Sequence, residues 1–177
     1  GDRIDPVQQI LRHQWAAFSR SLGAFEKCNW INHPDATYSI ESKPRQLRLA
    51  SRLNWPIPDT IIANTPPPSD WLPSSARLAI KALDTFWTAV RGEDLFSYTQ
   101  PIDRTALDKC ALSDMPCILQ LYYEHKLDIR ATVIGRECFT VAIKAPTGEG
   151  VAGDWRQMKS AVTYEVHQLP PEVKCRC

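Results

Sequence analysis

Four short stretches carry side chains that could do chemistry. Lys81 sits at the end of the alternating run in ARLAIKAL, Gln120, Tyr122 and Tyr123 close an apolar run, Asp128 and Arg130 stand two residues apart, and Arg156 follows Asp154 and Trp155. Side chains alternate along a strand, so Asp128 and Arg130 share a face with Thr132, and the opposite face carries Ile129, Ala131 and Val133, which the pattern assigns to a core. These types suit a nucleotide: cations for phosphates, a strand edge whose backbone reads adenine, an aromatic wall, and an acceptor for ribose hydroxyls. A plainer reading stands beside it. Asp128 and Arg130 would be a surface ion pair worth about 0–1 kcal/mol, and the tyrosines ordinary sheet residues.

Strands must position these groups, and the sequence supplies them. Residues 117–123, 128–134 and 137–144 read as strands, and Gly135-Arg136 suits a tight hairpin turn with glycine first. ARLAIKAL alternates, with Leu78 and Ile80 inward and Lys81 on the other face. PIPDTIIAN reads as an extended edge strand held straight by Pro56 and Pro58, and LFSYTQPI as a further strand. One helix is expected over 5–22, with Asp5 as cap, Pro6 in the first turn and Gly23 as the stop. A second is expected over 40–53, where Pro44 is tolerated only in the first turn. DRTALDKC reads as a short helix opened by Asp103, NWINHPDA as a connector, and the tail from Gly148 as loop until LPPEVKCRC, a first helical turn.

The bulk properties exclude several classes. The 177 residues suffice for one ordinary domain or two small lobes. The 21 basic and 20 acidic residues are interspersed at net +1, whereas a nucleic-acid surface would show a concentrated basic stripe. No apolar run approaches the roughly 18 residues of a membrane span. Cys28, Cys110, Cys117, Cys138, Cys175 and Cys177 lack framework spacing, so a reducing, cytoplasmic setting without disulfides is expected. Cys175, Cys177 and His167 fall short of four zinc ligands, and no metal site is expected from the residues present.

Taken in order, SKPRQLRLASRLNWPIPDTIIAN, AIKAL, LQLYYEHKLDIRATVIGRECFTVAIK and DWR resemble the ATP-grasp ligases. Within them the chain is most similar to the microviridin-type or graspetide ligases, which modify ribosomally made peptides. The likeness covers roughly residues 28–172, and the D-I-R plus D-W-R pair is its specific part. It implies an α+β, ATP-grasp-like fold: an antiparallel sheet lobe with helices packed on one face, plus part of the central ATP-grasp lobe. The implied division is an N-terminal helix and connector over 1–40, a small lid-type lobe over 41–120, and a partial central lobe over 121–177. By resemblance, Lys43 and Lys81 reach the α- and β-phosphates, and Gln120, Leu121, Tyr122 and Tyr123 form the hinge, where the backbone of Leu121 and Tyr123 pairs with adenine. Asp128 then binds ribose, Arg130 lies on the nucleotide side of the site, and Arg156 neutralises the transferring phosphate. Arg130 and Arg156 are the catalytic candidates.

The activity this resemblance implies for the parent protein is ATP-dependent ligation. A peptide side-chain carboxylate is activated as an acyl phosphate and ends as an ester or amide. ATP and Mg2+ are the implied cofactors and a precursor peptide the implied partner, with no nucleic acid, no membrane, and a homodimer left open. Two features depart from the superfamily pattern. The glycine-rich phosphate loop is replaced by DTFWTAVRGEDLFSYTQ, with Gly92 alone. After Arg156 only Glu165 and Glu172 could meet magnesium, so its ligands are expected outside this chain and the chain by itself is expected to be inactive. The alternatives are a non-catalytic peptide-binding or dimerisation module, and an ATP-grasp ligase acting on another carboxylate.

Overall fold

The computed structural model describes residues 5–25, 27–73, 75–84, 87–90, 93–107, 110 and 112–177. In chain order the elements are α1 (Pro6–Ser21), α2 (Pro34–Glu41), α3 (Lys43–Arg52), β1 (Thr60–Ala63), β2 (Leu78–Ala82), β3 (Trp87–Val90), β4 (Glu93–Phe96) and β5 (Gln100–Ile102). There follow α4 (Arg104–Leu107), β6 (Cys117–Leu121), β7 (Asp128–Ile134), β8 (Glu137–Lys144), β9 (Thr163–Val166) and α5 (Pro171–Lys174), with 3-10 turns at Leu22–Ala24, Leu112–Asp114 and Trp155–Ala161. They divide into two compact units, Gly1–Ile57 with Leu83–Ser97, and Pro58–Ala82 with Tyr98–Cys177.

The first unit holds α1 to α3 and the β3–β4 hairpin. Asp5 caps α1 as its sequence indicates, accepting from the Val7 N–H at 2.9 Å, and Pro6 occupies the first turn. The chain does not stop at Gly23 but runs through it in the 3-10 turn. NWINHPDA is not all connector. His33 Nδ1 accepts from the Asp35 N–H at 3.3 Å, and Pro34 presets the first turn of α2. Extended backbone at Ser42 then separates α2 from α3, so the single helix expected over 40–53 is two, with Pro44 in the first turn of the second. Gly92 lies outside the described residues.

The second unit is built on two antiparallel sheets. In the first, of order β1-β6-β2-β5, β1 takes the edge position that its prolines predict. Alternation sends Leu78, Ile80, Cys117, Leu119 and Leu121 to one face, where Leu78 and Leu119 are fully buried. Leu72, Leu107 and Leu112 complete this core, so α4 and the following 3-10 turn cover that face. Each leucine buried there contributes about 1.5–3 kcal/mol. The other face presents Thr60, Lys81 and Gln120.

The second sheet, of order β7-β8-β9, includes a strand that the tail was not expected to hold. Gly135 turns the β7–β8 hairpin at φ +62°, a left-handed conformation that glycine adopts without strain. The face of Ile129, Ala131 and Val133 is not the core the alternation predicts. Ala142, opposite Ile129, is buried, but Ala131 is exposed and Val133 is 48% exposed. The hydrophobic centre lies instead under Ile143, the partner of Asp128, packed with Val151 and Val162 and flanked by Trp155 and Met158. Alternation fixes which residues share a face, and what covers that face is decided by residues further along the chain. Among the described residues, no helix is long and apolar enough to cross a membrane.

Candidate functional site

Gln120 organises the polar face of the first sheet. It lies opposite Thr60 on β1 and Ala79 on β2, one diagonal step from Lys81. Lys81 Nζ donates to Gln120 Oε1 at 2.6 Å, and Gln120 Nε2 donates to Thr60 Oγ1 at 2.8 Å. The Thr60 hydroxyl in turn donates a hydrogen bond to the Pro58 carbonyl at 2.7 Å. Both ends of the amide are thereby oriented, and the lysine is held part-buried at the end of its strand. Lys81 and Gln120, chosen from the sequence for separate reasons, are direct neighbours.

Beyond Leu121 the strand leaves the sheet. The Leu121 N–H donates to the Asp59 carbonyl at 2.9 Å, and the Tyr122 N–H to the Arg77 carbonyl at 3.0 Å. Among the described residues no backbone partner engages Tyr123, whose side chain is 53% exposed. Tyr122 turns its hydroxyl to accept from the Gly153 N–H at 3.1 Å, and its ring lies 5.2 Å from the Arg77 guanidinium. Arg77 in turn meets Glu124 at 2.6 Å, a bond that raises its pKa further above the ordinary value. A cavity of about 440 Å³ opens beside these groups, lined in part by Arg77, Gln100, Tyr122, Asp154 and Gln157.

Asp128 does not pair with Arg130. Its carboxylate takes the ammonium of Lys126, both side chains being about a quarter exposed (29% and 27%), while Arg130 points from an exposed position opposite Val141. The bend carrying Lys126 is held closely against the tail. A Cβ on Gly150 would come within 1.8 Å of the Lys126 carbonyl oxygen, so only glycine allows this approach.

The D-W-R loop is built around its aspartate. Asp154 is buried, its side chain 3% exposed, yet it carries a satisfied set of partners. It accepts from the Arg156 N–H at 3.1 Å, from the Thr99 N–H at 3.0 Å, and from Arg156 Nη1 at 3.2 Å. The Arg156 side chain is 53% exposed and lies 5.3 Å from the Trp155 ring. The loop therefore presents a guanidinium at the surface, anchored by a carboxylate that is not. Sequence reading selected the arginine and passed over Asp154, whose signal was local: an aspartate two residues before a backbone N–H it can cap. It also passed over Thr60, Arg77 and Glu124.

Lys43 lies in the first unit, at the start of α3, where its ammonium donates to the Leu83 carbonyl at 2.9 Å. Three acids of the second unit already have cationic partners. Asp154 is taken by Arg156 and Thr99, Asp128 by Lys126, and Glu165 by Lys144 at 2.5 Å. Among the described residues no three metal-capable side chains converge.

No family model and no curated protein matches the sequence. Solved structures do. The macrocyclase MdnC from Microcystis aeruginosa MRC, bound with precursor peptide MdnA, shares 20% identity at a TM-score of 0.71, over 99% of this chain and 56% of that one. A RiPP-associated ATP-grasp ligase from Chryseobacterium gregarium, in complex with ADP and a leader and core peptide, gives 19% and 0.69, over 98% and 54%. The ATP-grasp ligase PsnB, complexed with a phosphomimetic variant of its minimal precursor, Mg and ADP, gives 18% and 0.61, over 99% and 56%. The chain thus spans about half the length of these structures. At such identities the likeness establishes the fold: antiparallel sheets with helices, arranged as in ATP-grasp ligases that act in RiPP systems.

Proposed function

We propose that the chain supplies the nucleotide-handling half of an ATP-dependent carboxylate ligase acting on a ribosomally made peptide. The observation that carries this reading is the Lys81–Gln120–Thr60 network, set on the polar face of a sheet whose strand β6 runs directly into the Tyr122–Tyr123 segment. The matching solved structures add support, since they hold ADP and precursor peptides. In this reading residues 41–120 serve as the lid-type lobe and 121–177 as part of the central one.

A side-chain carboxylate oxygen of the peptide attacks the γ-phosphorus of ATP, the bond to the β,γ-bridging oxygen breaks, and ADP leaves. A hydroxyl or amine then attacks the acyl carbon and expels phosphate, giving an ester or an amide. The substrate brings its own nucleophiles, so the chain needs only to orient and to stabilise charge. Lys81, fixed by Gln120, and Lys43 face the α- and β-phosphates, while Arg156 meets the phosphoryl group in transfer with Arg130 on the same side. Asp128 takes the ribose hydroxyls. The Leu121 N–H is already engaged by Asp59, so adenine pairing rests on the backbone of Tyr123. No step is assigned to magnesium, since among the described residues no three metal-capable side chains converge.

The test is a full-length ligase carrying Lys81→Ala or Arg156→Ala. Turnover is expected to fall by about 10²–10³-fold for each, as for loss of one preorganised charge-stabilising donor, with unfolding midpoints close to the parent's. Undiminished turnover in both variants overturns the assignment.

A further inference from the structure

The sequence groups Tyr122 with the nucleotide hinge, yet its side chain is engaged elsewhere. The Tyr122 hydroxyl accepts from the Gly153 N–H at 3.1 Å, and Gly153 directly precedes the aspartate of the D-W-R loop. The ring is fixed in turn. The Arg77 guanidinium lies 5.2 Å from its centroid, the Tyr122 N–H donates to the Arg77 carbonyl at 3.0 Å, and Glu124 holds that guanidinium at 2.6 Å. On the loop side, Asp154 accepts from the Arg156 N–H at 3.1 Å and from Arg156 Nη1 at 3.2 Å. A continuous run of contacts therefore leads from the segment that follows β6 to the guanidinium of Arg156, all of it within the second unit. Tyr122, Gly153 and Asp154 line one cavity.

We propose that Tyr122 is a positioning residue for Arg156: its hydroxyl ties the D-W-R loop to the segment leaving β6, and so sets where the guanidinium stands relative to the nucleotide. This role rests on the ligase reading above. The contacts of Arg156 with Asp154 and Trp155 fix it only within its own loop. Two bonds fix the loop itself, at adjacent residues: the Thr99 N–H to Asp154 at 3.0 Å, and the Gly153 N–H to Tyr122. Thr99 precedes β5 and Tyr122 follows β6, so loss of one anchor lets the loop pivot about the other. A charge-stabilising donor works only where charge develops, and a displacement on the order of 1 Å costs about 10²-fold. Phenylalanine at 122 keeps the ring beside Arg77 and removes only the acceptor. Gly153 is half-buried, so water replaces the lost partner and the fold is little affected.

The experiment is a double-mutant cycle in the full-length ligase, with turnover followed as ADP formed from ATP in the presence of Mg2+ and the precursor peptide. Tyr122→Phe is expected to lower kcat by about 10–100-fold while the KM for ATP stays within about twofold of the parent's. In an Arg156→Ala background the same change is expected to cost less than about twofold, because no guanidinium is left to position. A hydroxyl that served the fold alone would cost the same in both backgrounds. In the 177-residue chain, the Gly153 amide is expected to exchange faster in Tyr122→Phe, with protection at Thr99 retained. An undiminished kcat, a loss that falls on the KM for ATP, equal losses in both backgrounds, or unchanged exchange at Gly153 each overturns the role and leaves the ligase reading standing. Undiminished turnover in Arg156→Ala overturns both.

Discussion

Replacing Asp154 with alanine separates what the D-W-R loop does for the fold from what its arginine does for chemistry. Removal of the carboxylate leaves the N–H groups of Thr99 and Arg156 without their acceptor. Each such loss costs about 1–3 kcal/mol. The guanidinium is half exposed and rehydrates, so its lost pair adds only about 0–1 kcal/mol. Asp154→Ala is thus expected to destabilise by about 2–6 kcal/mol, mostly through the two amides. Asp154→Asn keeps one acceptor oxygen and falls between. Arg156→Ala leaves both amide bonds in place and is expected to cost about 0–1 kcal/mol. Urea unfolding followed by circular dichroism measures all three, with equal slopes required before midpoints are compared. Amide exchange adds a local readout, because Thr99 and Arg156 should lose protection in Asp154→Ala while Thr99 keeps it in Arg156→Ala. If Arg156→Ala costs as much as Asp154→Ala, or if Asp154→Ala costs under about 1 kcal/mol, the buried carboxylate is not the organising element.

Two further expectations concern the same unit. Gly150→Ala drives a methyl group into the Lys126 backbone carbonyl, so the bend at 124–127 must shift; a loss of about 1–3 kcal/mol or more is expected in chemical denaturation, and an unchanged midpoint would show that the loops part freely. Burial, and secondarily Cys110, raise the Cys117 thiol pKa, so ionisation favours the unfolded chain. The stability tied to this thiol is full below its unfolded value, about pH 8.5, and is lost as pH rises from there through the raised folded value. Thermal midpoints between neutral and strongly alkaline pH should therefore fall more steeply for the parent than for Cys117→Ala, and parallel profiles would sink the idea.

Much of the architecture was legible because local rules and tertiary packing agree where they were applied. The strands expected at 117–123, 128–134 and 137–144 are all present, the first ending two residues early at Leu121. Lys81 and Gln120 end up as direct neighbours because strand-end polar groups on one face have few partners other than each other. α2 was missed although Pro34 marked its first position, since HPDA also reads as a turn. β9 was missed for a deeper reason. Its four residues are all exposed, so no burial pattern announces them, and their extended shape comes from pairing with β8. The buried face of the second sheet was misassigned because Val151 and Val162, which cover Ile143, arrive from segments whose path alternation does not encode. Asp154 escaped notice for a related reason: one of its two partner residues, Thr99, lies 55 positions away in sequence.

The outer hairpin strand has a bearing on how copies of this chain meet one another. Among the described residues β7 is the border of its three-stranded sheet, the position at which an arriving strand can pair. Charges guard its first half, at Asp128 and Arg130, and deter an approaching neighbour there. The second half, Ala131 to Ile134, is uncharged, β-branched from Thr132 on and open to solvent on both faces, with Phe139 exposed beside it. That stretch suits strand addition between copies, and a lysine at Val133 would extend the guard toward the tip.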